Sequence, residues 1–293
     1  MTNNSNDDIP RIIWFFWDSG LETAPTIVRI CFASWVQQNP DYSVFLVTGE
    51  SVEYVECMSS FRQSEQIPIQ KRSNLLRLHL LNKHGGVWVD ATLFCRRPLS
   101  EWLPREQKLG ALFCENYPSR RDRALANFFI ATVPQHPLVL EWHQAASDFF
   151  ARPLRHRFSI NHQEIITKVG KYLALRRWTD GFWTSGLNTY LLRIYPYFIH
   201  HYLLARLIRR RSELRALWET SGKIRLGSWP LTFNSVLSRG SPLAARSLDV
   251  VMEAPEAPFF KVTYRHKPQL GNEREFLMEY LRKWLENQPR TVS

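Results

Sequence analysis

The chain has 293 residues, of which 44% are hydrophobic, 22% charged and 13% aromatic, with 12 Gly and 17 Pro. This composition excludes an intrinsically disordered chain, a collagen-like repeat and a coiled coil. The net charge of +11 is unevenly distributed, because residues 1 to 150 carry −2 and residues 151 to 293 carry +13. A basic half of this kind favours partners that carry phosphate, acidic polymer or anionic lipid.

The cysteines and the N-terminal residues predict a reduced, cytosolic protein. The polar, acidic start MTNNSNDDIPR differs from a secretory leader. The longest uncharged stretch, residues 124 to 140, contains Pro134 and Pro137, so we expect no transmembrane anchor. The four cysteines show neither a C-x-x-C pair nor a zinc-type spacing: Cys31, Cys57, Cys95 and Cys114.

Strand and helix patterns alternate through the first half. Residues 11 to 17 (RIIWFFW) predict a buried strand, residues 25 to 39 a helix, and residues 42 to 47 (YSVFLV) a second strand. This order is a β-α-β opening. A further helix is predicted from Ser73 to the Gly85-Gly86 stop, and residues 87 to 91 (VWVDA) follow it as a strand. Runs at 109 to 114 and 128 to 133 add strands, so the fold class is α/β.

The second half differs in composition from the first. It is rich in Arg and aromatic residues, and its pattern predicts a helical block over about residues 187 to 218. We therefore divide the chain into an α/β part, residues 1 to 150, and a basic helical part, residues 151 to 293, within one compact unit.

Candidate functional side chains gather around Asp90. Asp90 stands at the carboxyl end of the 87 to 91 strand, where open α/β sheets bind ligands. Asn74 and Arg77 are three residues apart on the preceding helix and so share a face. The alternative is that Arg77 faces water and Asp90 only ends a strand.

Several other functions lack their motifs. The sequence contains no G-x-S-x-G, H-E-x-x-H, Walker or G-x-G-x-x-G pattern. The basic aromatic runs RRWTDGFW and RLIRRR come with no nucleic-acid-binding motif, so no nucleic-acid partner is expected.

Five phrases occur in an order that resembles the capsular polysaccharide synthesis glycosyltransferases, relatives of the larger DXD-type sugar-binding transferases. They are IPRIIWFFWDSG, NPDYSVFLV, SNLLRLHLLNKHGGVWVDATLFCRRPL, NFFIATVPQHPL and FFKVTYRHKP. The resemblance is close over about residues 9 to 143 and returns near residues 259 to 268. The helix, double glycine, strand and D-A-T run is its most specific part.

This resemblance implies a GT-A type core and a sugar-transfer reaction. The donor would be a nucleotide sugar, in the first instance a UDP-sugar, and the acceptor a glycan or glycolipid in surface polysaccharide synthesis. The related DXD group generally retains anomeric configuration. Such chemistry needs positive charge at a departing diphosphate and a carboxylate for a divalent ion or sugar hydroxyls.

The resemblance also assigns residues around the strand end. Asp90 matches the first acid of the D-x-D motif, and Thr92 stands where the larger group has the second acid. A divalent cation (Mn²⁺ or Mg²⁺) is implied, but Thr is a poor ligand for a hard cation, so metal dependence stays open. Asn74 stands where relatives commonly carry Asp, and Arg77 matches.

Aromatic and late polar residues complete the implied donor site. Trp17 and Phe16, at the end of the first strand, offer planar faces for the nucleobase, with core packing as the alternative. Lys261 and Tyr264 match a late phrase of the family and would contact the departing phosphates, and His266 would be a metal ligand.

Two weaker assignments concern the sugar or the acceptor. Asn127 and Glu115 are expected to contact one of them. The competing function is a non-catalytic basic protein that binds an anionic polymer or membrane surface, and the departures at Asn74 and Thr92 favour it.

The segment IYPYFIHHYLLA, followed by arginines at 206 and 209 to 211, predicts peripheral contact with the inner face of the cell membrane. The alternative is that four of its side chains cover the protein core while the arginines face water or an acidic acceptor: Tyr195, Phe198, Tyr202 and Leu203.

Overall fold

The computed structural model describes residues 8–62, 64–115, 124–151, 179–188, 198–225, 257–262 and 273–288. The strands in these ranges are β1 (Ile12–Phe16), β2 (Ser43–Val47), β3 (Gly86–Val89), β4 (Leu93–Cys95), β5 (Ala111–Glu115), β6 (Leu125–Thr132), β7 (Gly222–Arg225) and β8 (Phe259–Lys261). The helices are α1 (Thr26–Gln38), α2 (Val52–Ser59), α3 (Ile69–His84), α4 (Leu99–Glu106), α5 (Pro137–Phe150), α6 (Thr179–Trp183), α7 (Ile199–Arg210), α8 (Ser212–Thr220) and α9 (Glu273–Glu286).

A six-stranded sheet forms the centre of the fold, in the order β2-β1-β3-β6-β5-β7. Strand β1 runs parallel to both β2 and β3, and β5 runs parallel to β7. The antiparallel strand β6 lies between β3 and β5. The predicted β-α-β opening is therefore present, and the predicted α/β class is confirmed.

Both faces of the sheet are buried, which explains why β1 is apolar at every position. Ile13 and Phe15 point into a core cluster covered by α1 and α9. Trp14 and Phe16 point into a second cluster, covered by α3, α5, α7 and α8. A strand whose residues alternate between two cores has no polar face, as the run RIIWFFW shows.

Strands β4 and β8 form a separate two-stranded sheet. They are antiparallel, and Leu93 lies opposite Lys261 in the register. Beside them, α9 packs on α1, where the Gln37 side chain donates a hydrogen bond to the Leu285 carbonyl oxygen over 2.9 Å. Described residues from beyond position 150 thus contribute β7 to the central sheet and β8 to the small one.

Of the helical block predicted over residues 187 to 218, residues 189 to 197 lie outside the described ranges. Residues 199 to 218 belong to two helices rather than one, because Arg211 adopts an extended conformation (φ −116°, ψ 113°) between α7 and α8. Within α7, Tyr202 and Leu203 are buried in the core. Core packing, the alternative, is therefore confirmed for these two residues, whereas peripheral contact of the segment with the membrane stays a prediction.

None of the helices in the described ranges combines the length and the apolar character that a membrane crossing requires.

Candidate functional site

A glycine pair sets the geometry of the site by turning the chain sharply from α3 into β3. Gly85 and Gly86 have φ angles of 66° and 91°, which favour glycine. A Cβ atom at Gly85 would lie 2.7 Å from the Pro134 nitrogen, and one at Gly86 would lie 2.7 Å from the Ile12 carbonyl oxygen. Helix α3 consequently folds back against β3, with its cavity-facing residues close to the carboxyl end of the strand.

Asp90 follows β3 directly and is fixed through its backbone and its side chain. Its N–H donates to the Phe128 carbonyl oxygen over 2.9 Å. The indole Nε1 of Trp88, on the same side of the strand, donates to Asp90 Oδ1 over 3.1 Å. Because side chains alternate along an extended chain, residues 88 and 90 point to the same face.

Two cations converge on the Asp90 carboxylate. Arg77 Nη2 lies 2.8 Å from Oδ1, and Lys261 Nζ lies 2.7 Å from Oδ2. Arg77 is further held by Asn74, whose Oδ1 accepts from Arg77 Nη1 over 2.7 Å and from Asn127 Nδ2 over 2.9 Å. The predicted group of Asn74, Arg77, Asp90, Asn127 and Lys261 is thus one connected network.

Aromatic rings lie beneath both cations. The Arg77 guanidinium lies 4.8 Å from the centroid of the Trp88 ring, and Lys261 Nζ lies 5.6 Å from the centroid of the Phe128 ring. A ring face attracts a cation without neutralising its charge. Because two cations share one carboxylate and the rings leave their charge intact, the network keeps a net positive charge toward an anion in front of it.

Lys261 reaches the site through pairing of segments distant in sequence. The β4–β8 pairing places it opposite Leu93, just after the Asp90 strand end. The N–H of Val262 donates to the Thr92 carbonyl oxygen over 2.8 Å and extends this pairing toward Asp90. A strand near the C-terminal end of the chain thereby supplies a cation to a site built mainly by the first half.

The charges around Asp90 reverse the effect of its burial. Burial by itself raises the pKa of a carboxyl group, but the positive charges of Lys261 and Arg77 and the hydrogen bonds from Lys261 and Trp88 lower the pKa of Asp90 from 3.8 to about 2. The carboxylate is therefore ionised throughout the neutral range.

This lowered pKa predicts a defined pH dependence of stability. The folded-state pKa of Asp90 is depressed, so its contribution is complete above about pH 5 and is lost as the pH falls from about 4 toward 2. The lost contribution should amount to about 2 kcal/mol. We expect the difference in unfolding free energy between wild type and Asp90→Asn, measured with denaturant, to shrink below pH 4. An unchanged difference at pH 7 and pH 3 would contradict the charged network.

The network lies in an open cavity of about 910 Å³, within the size range of ligand sites of about 300–1,000 Å³. Among the other predicted site residues, Phe16, Trp17, Asn74, Thr92 and Asn127 also line it. Glu115, at the end of β5, does not line the cavity.

Two further predicted residues, Tyr264 and His266, lie outside the described residues. Their roles stay predictions.

The two aromatic residues at the end of β1 occupy different environments. The Phe16 ring stacks on Tyr54 with centroids 5.5 Å apart and is 6% exposed, so most of its surface packs in the core. Trp17 is only partly buried and borders the cavity. Of the two residues, Trp17 is therefore the better placed to stack on a nucleobase. That stacking stays a prediction.

The described residues do not fit a divalent cation at Asp90. Both carboxylate oxygens already accept from Arg77 and Lys261, and Lys261 Nζ lies at the oxygen a metal would use. Thr92 adds no carboxylate. The described residues also contain no cluster of three or more His, Cys, Asp or Glu side chains suited to a metal.

Several residues that line the cavity were given no role in the site from the sequence, and four of them contact or face the network described above. Trp88 is two residues before Asp90 in the same predicted strand, and the alternation of side chains was enough to suggest their contact. Lys71 lies on the same helix as Asn74 and Arg77, with the same three-residue spacing. Phe198 and His201 come from the start of α7, and no local pattern links them to Asp90.

Comparison with known proteins places the chain in a family. The family described as "Capsular polysaccharide synthesis protein" matches residues 1–192. The O-glycosyltransferase braB of Annulohypoxylon truncatum is 26% identical over 150 residues, which are 44% of this chain and 35% of that protein. The mannosyl phosphorylinositol ceramide synthase CSH1 of Saccharomyces cerevisiae is 26% identical over 145 residues, 43% of this chain and 36% of that protein.

These matches span little more than a third of the length of the two curated relatives. Among solved structures, the galactosyltransferase LgtC in complex with donor and acceptor sugar analogs aligns with a TM-score of 0.42 at 9% identity, covering 96% of this chain and 97% of that one. The family match covers most of the chain and includes α3, the glycine pair and Asp90. The chain belongs to the capsular polysaccharide synthesis protein family.

Proposed function

We propose that this protein is a glycosyltransferase of the GT-A type that moves a sugar from a nucleotide-sugar donor to a glycan or glycolipid acceptor. One observation carries the proposal. Arg77 and Lys261, which are 184 positions apart in sequence, converge on Asp90 in an open cavity at the carboxyl end of a parallel strand. Ligands of open α/β sheets bind at such ends.

The names of the relatives support the same reaction class. One is an O-glycosyltransferase, and the other is a mannosyl phosphorylinositol ceramide synthase. The two matched segments cover 44% and 43% of this chain. The family itself is named for capsular polysaccharide synthesis. Transfer of a sugar in the assembly of a surface polysaccharide is consistent with all three.

The charges of the site suit the departure of a diphosphate. When the bond between the sugar C1 and the diphosphate oxygen breaks, the electron pair leaves with the diphosphate, and an acceptor oxygen bonds to C1 and releases its proton. Negative charge therefore grows on the leaving group. The fixed cations Arg77 and Lys261 stabilise that charge more strongly than mobile water can, because they need no reorganisation.

Asp90 positions these cations. It accepts from both, and its low pKa keeps it charged, so Arg77 and Lys261 stay close together despite their like charges. Its oxygens also lie where sugar hydroxyl groups could donate to them once a donor enters. Trp17 would stack on the nucleobase, with UDP as the preferred nucleotide and retention as the stereochemical outcome.

The direct test measures donor binding and transfer. A panel of nucleotide sugars is screened for thermal stabilisation, since a ligand at 100 times its dissociation constant adds about 2.7 kcal/mol to the unfolding free energy. Donors that stabilise are then incubated with glycan and glycolipid acceptors, and the released nucleoside diphosphate is measured. Stabilisation by a donor together with its turnover supports the proposal. A panel without any stabilising donor contradicts it.

The second candidate is a non-catalytic protein that binds an anionic polymer. It is favoured by Asn74 and Thr92, where the related transferases have acids. The same experiment separates the two, because such a protein would be stabilised by an acidic polysaccharide and by no nucleotide sugar. Asn74 nevertheless keeps a structural role, since it accepts from Arg77 and Asn127.

We further propose that the protein works in the cytoplasm, at the inner face of the cell membrane. Because Tyr202 and Leu203 are buried, contact with lipid would be electrostatic and would use the exposed Arg209 and Arg210. Arg211 is partly neutralised by Glu141, 2.6 Å away, and contributes less. A lipid-linked acceptor would make such contact useful by confining enzyme and acceptor to one plane.

This localisation predicts salt-sensitive binding to anionic vesicles. Each Arg near such a surface contributes about 1 kcal/mol, so Arg209→Glu with Arg210→Glu should abolish co-sedimentation. The matched control is Arg29→Glu with Lys283→Glu, the same charge change on helices that cover the opposite face of the sheet. Equal binding of both double variants, or binding to neutral lipid, would contradict the assigned surface.

A further inference from the structure

Lys71 is a buried cation that the proposed transfer step leaves unused. It belongs to the first turn of α3, lines the same cavity as Asp90, and is only 7% exposed. A lysine is seldom buried to this extent, because burial disfavours the charged form of its amine. As a residue of the cavity wall, it lies beside any ligand that fills the cavity.

Helix geometry separates Lys71 from the Asp90 network. Lys71, Asn74 and Arg77 are spaced three residues apart and all line the cavity, so they form one stripe along α3. At 1.5 Å per residue, Lys71 lies about 9 Å from Arg77 along the helix axis. It therefore lies beyond the pair of cations that share Asp90, toward the helix N-terminus, whose dipole favours anions.

The wall beside Lys71 comes from α7. Phe198 and His201 line the cavity there, and His201 is 8% exposed. The neighbouring His200 is fully enclosed, and its pKa is lowered first by burial and then by the positive charges of Lys71, Arg77 and His201. Lys71 and His201 therefore lie within electrostatic range of the same imidazole, on a side of the cavity that is basic and partly apolar.

We propose that Lys71 is the centre of a second anion subsite, which binds a carboxylate or phosphate carried by the sugar or the acceptor in addition to the diphosphate. This inference rests on the proposed function, since it assigns an acidic substituent to one of the substrates. The subsite selects that substituent by charge, because an anion forms a charge-assisted hydrogen bond with the ammonium group that is stronger than the bond a neutral hydroxymethyl group forms.

Burial also couples ligand binding at the subsite to the uptake of a proton. It lowers the pKa of Lys71 to about 7, so the amine is largely neutral at pH 8. A bound anion favours the ammonium form, and binding at pH 8 must therefore take up a proton, whereas binding at pH 6 takes up little. The charged or titratable side chains that line the cavity with Lys71 are Asp18, Arg72, Arg77, Asp90, His201 and Lys261.

Sulfate is a suitable probe, because it is a divalent oxyanion that does not titrate near neutral pH. Calorimetric titrations at pH 8 in two buffers of different ionisation enthalpy give both the affinity and the proton uptake. In Lys71→Met, we expect the affinity of the sulfate site that takes up a proton to fall by about tenfold or more. Lys71→Arg should keep binding but take up no proton, since Arg is always charged.

Two control variants isolate the subsite. Lys83→Met changes an exposed lysine of the same helix, which is paired with Glu56, and should leave affinity and uptake unchanged. Lys261→Met should weaken binding of UDP without removing the proton-linked sulfate site. Proton-linked sulfate binding that survives in Lys71→Met would overturn the proposal, as would a wild type without proton uptake.

Comparison of two donors then identifies the source of the anion. If the donor sugar carries it, UDP-glucuronate should bind wild type at least about tenfold more tightly than UDP-glucose, and Lys71→Met should remove that preference. If the acceptor carries it, both donors bind equally, and sulfate still binds to protein saturated with UDP. Failure of every nucleotide sugar of the panel to bind would refute the proposed function, whereas failure of the sulfate test alone refutes only the subsite.

Discussion

Asp90→Asn is expected to lower the turnover of sugar transfer by at least about a hundredfold, the scale observed when a group that stabilises developing charge is lost. The reason is electrostatic. An amide preserves the shape of the side chain but not the charge that holds Arg77 and Lys261 together over 2.8 Å and 2.7 Å. Without it, the two cations repel each other and no longer share one position in front of the leaving diphosphate.

The measurement is steady-state turnover with the donor identified by the panel, alongside the unfolding free energy at pH 7. Arg77 keeps its bond to Asn74 and its contact with the Trp88 ring, so the variant should fold with reduced stability. Thr92→Ala is the matched control from the same D-A-T run, and its effect should be far smaller. A folded Asp90→Asn protein with near-normal turnover would remove Asp90 from the reaction.

Local sequence patterns were sufficient to predict the framework of the site. The apolar runs predicted β1 and β2, and Gly85-Gly86 correctly marked the end of α3 and the start of β3. The three-residue spacing of Asn74 and Arg77 correctly placed both on the face that meets Asp90. These features depend on interactions between neighbours in the chain, which is why the residues alone reveal them.

Helices without a clear pattern were missed. Helix α2 leaves Val52 and Val55 exposed, so its apolar residues do not mark one face. Helix α5 begins at Pro137, and proline is well suited to the first position of a helix. From the sequence alone, however, the same proline indicates only that an apolar stretch is interrupted. In both cases packing against α3 compensates for the weak local signal.

Contacts between distant segments were beyond reach of local reasoning. Lys261 meets Asp90 because β8 pairs with β4, and only the resemblance to a family indicated that residue. Likewise, nothing near His201 in the sequence shows that α7 forms a wall of the cavity beside Lys71. The conformational entropy lost on closing such long loops is offset by burial of the whole core rather than by a local motif.

The second large effect is expected for the cations themselves. Arg77→Ala and Lys261→Ala should each weaken the binding of bare UDP by about tenfold to a hundredfold, because a hydrogen bond to a charged group contributes about 1.5–3 kcal/mol. The full donor should lose affinity by a similar factor, since both variants act on the diphosphate. Arg77→Lys should fall between wild type and Arg77→Ala, because it keeps the charge but loses the planar fork.

Titration calorimetry with UDP provides the measurement. Lys83→Ala and Arg97→Ala are controls that each remove a cation outside the cavity, paired with Glu56 and Glu101 respectively. A chelator extends the test to the metal question. Lys261 already supplies a positive charge at Asp90 Oδ2, so UDP binding by wild type should withstand EDTA. Lys261→Ala frees that oxygen, and Mn²⁺ should then restore part of the lost affinity. Unchanged UDP affinity in both alanine variants would place the diphosphate elsewhere, and loss of wild-type binding in EDTA would mean that a metal ion displaces Lys261 when the donor enters.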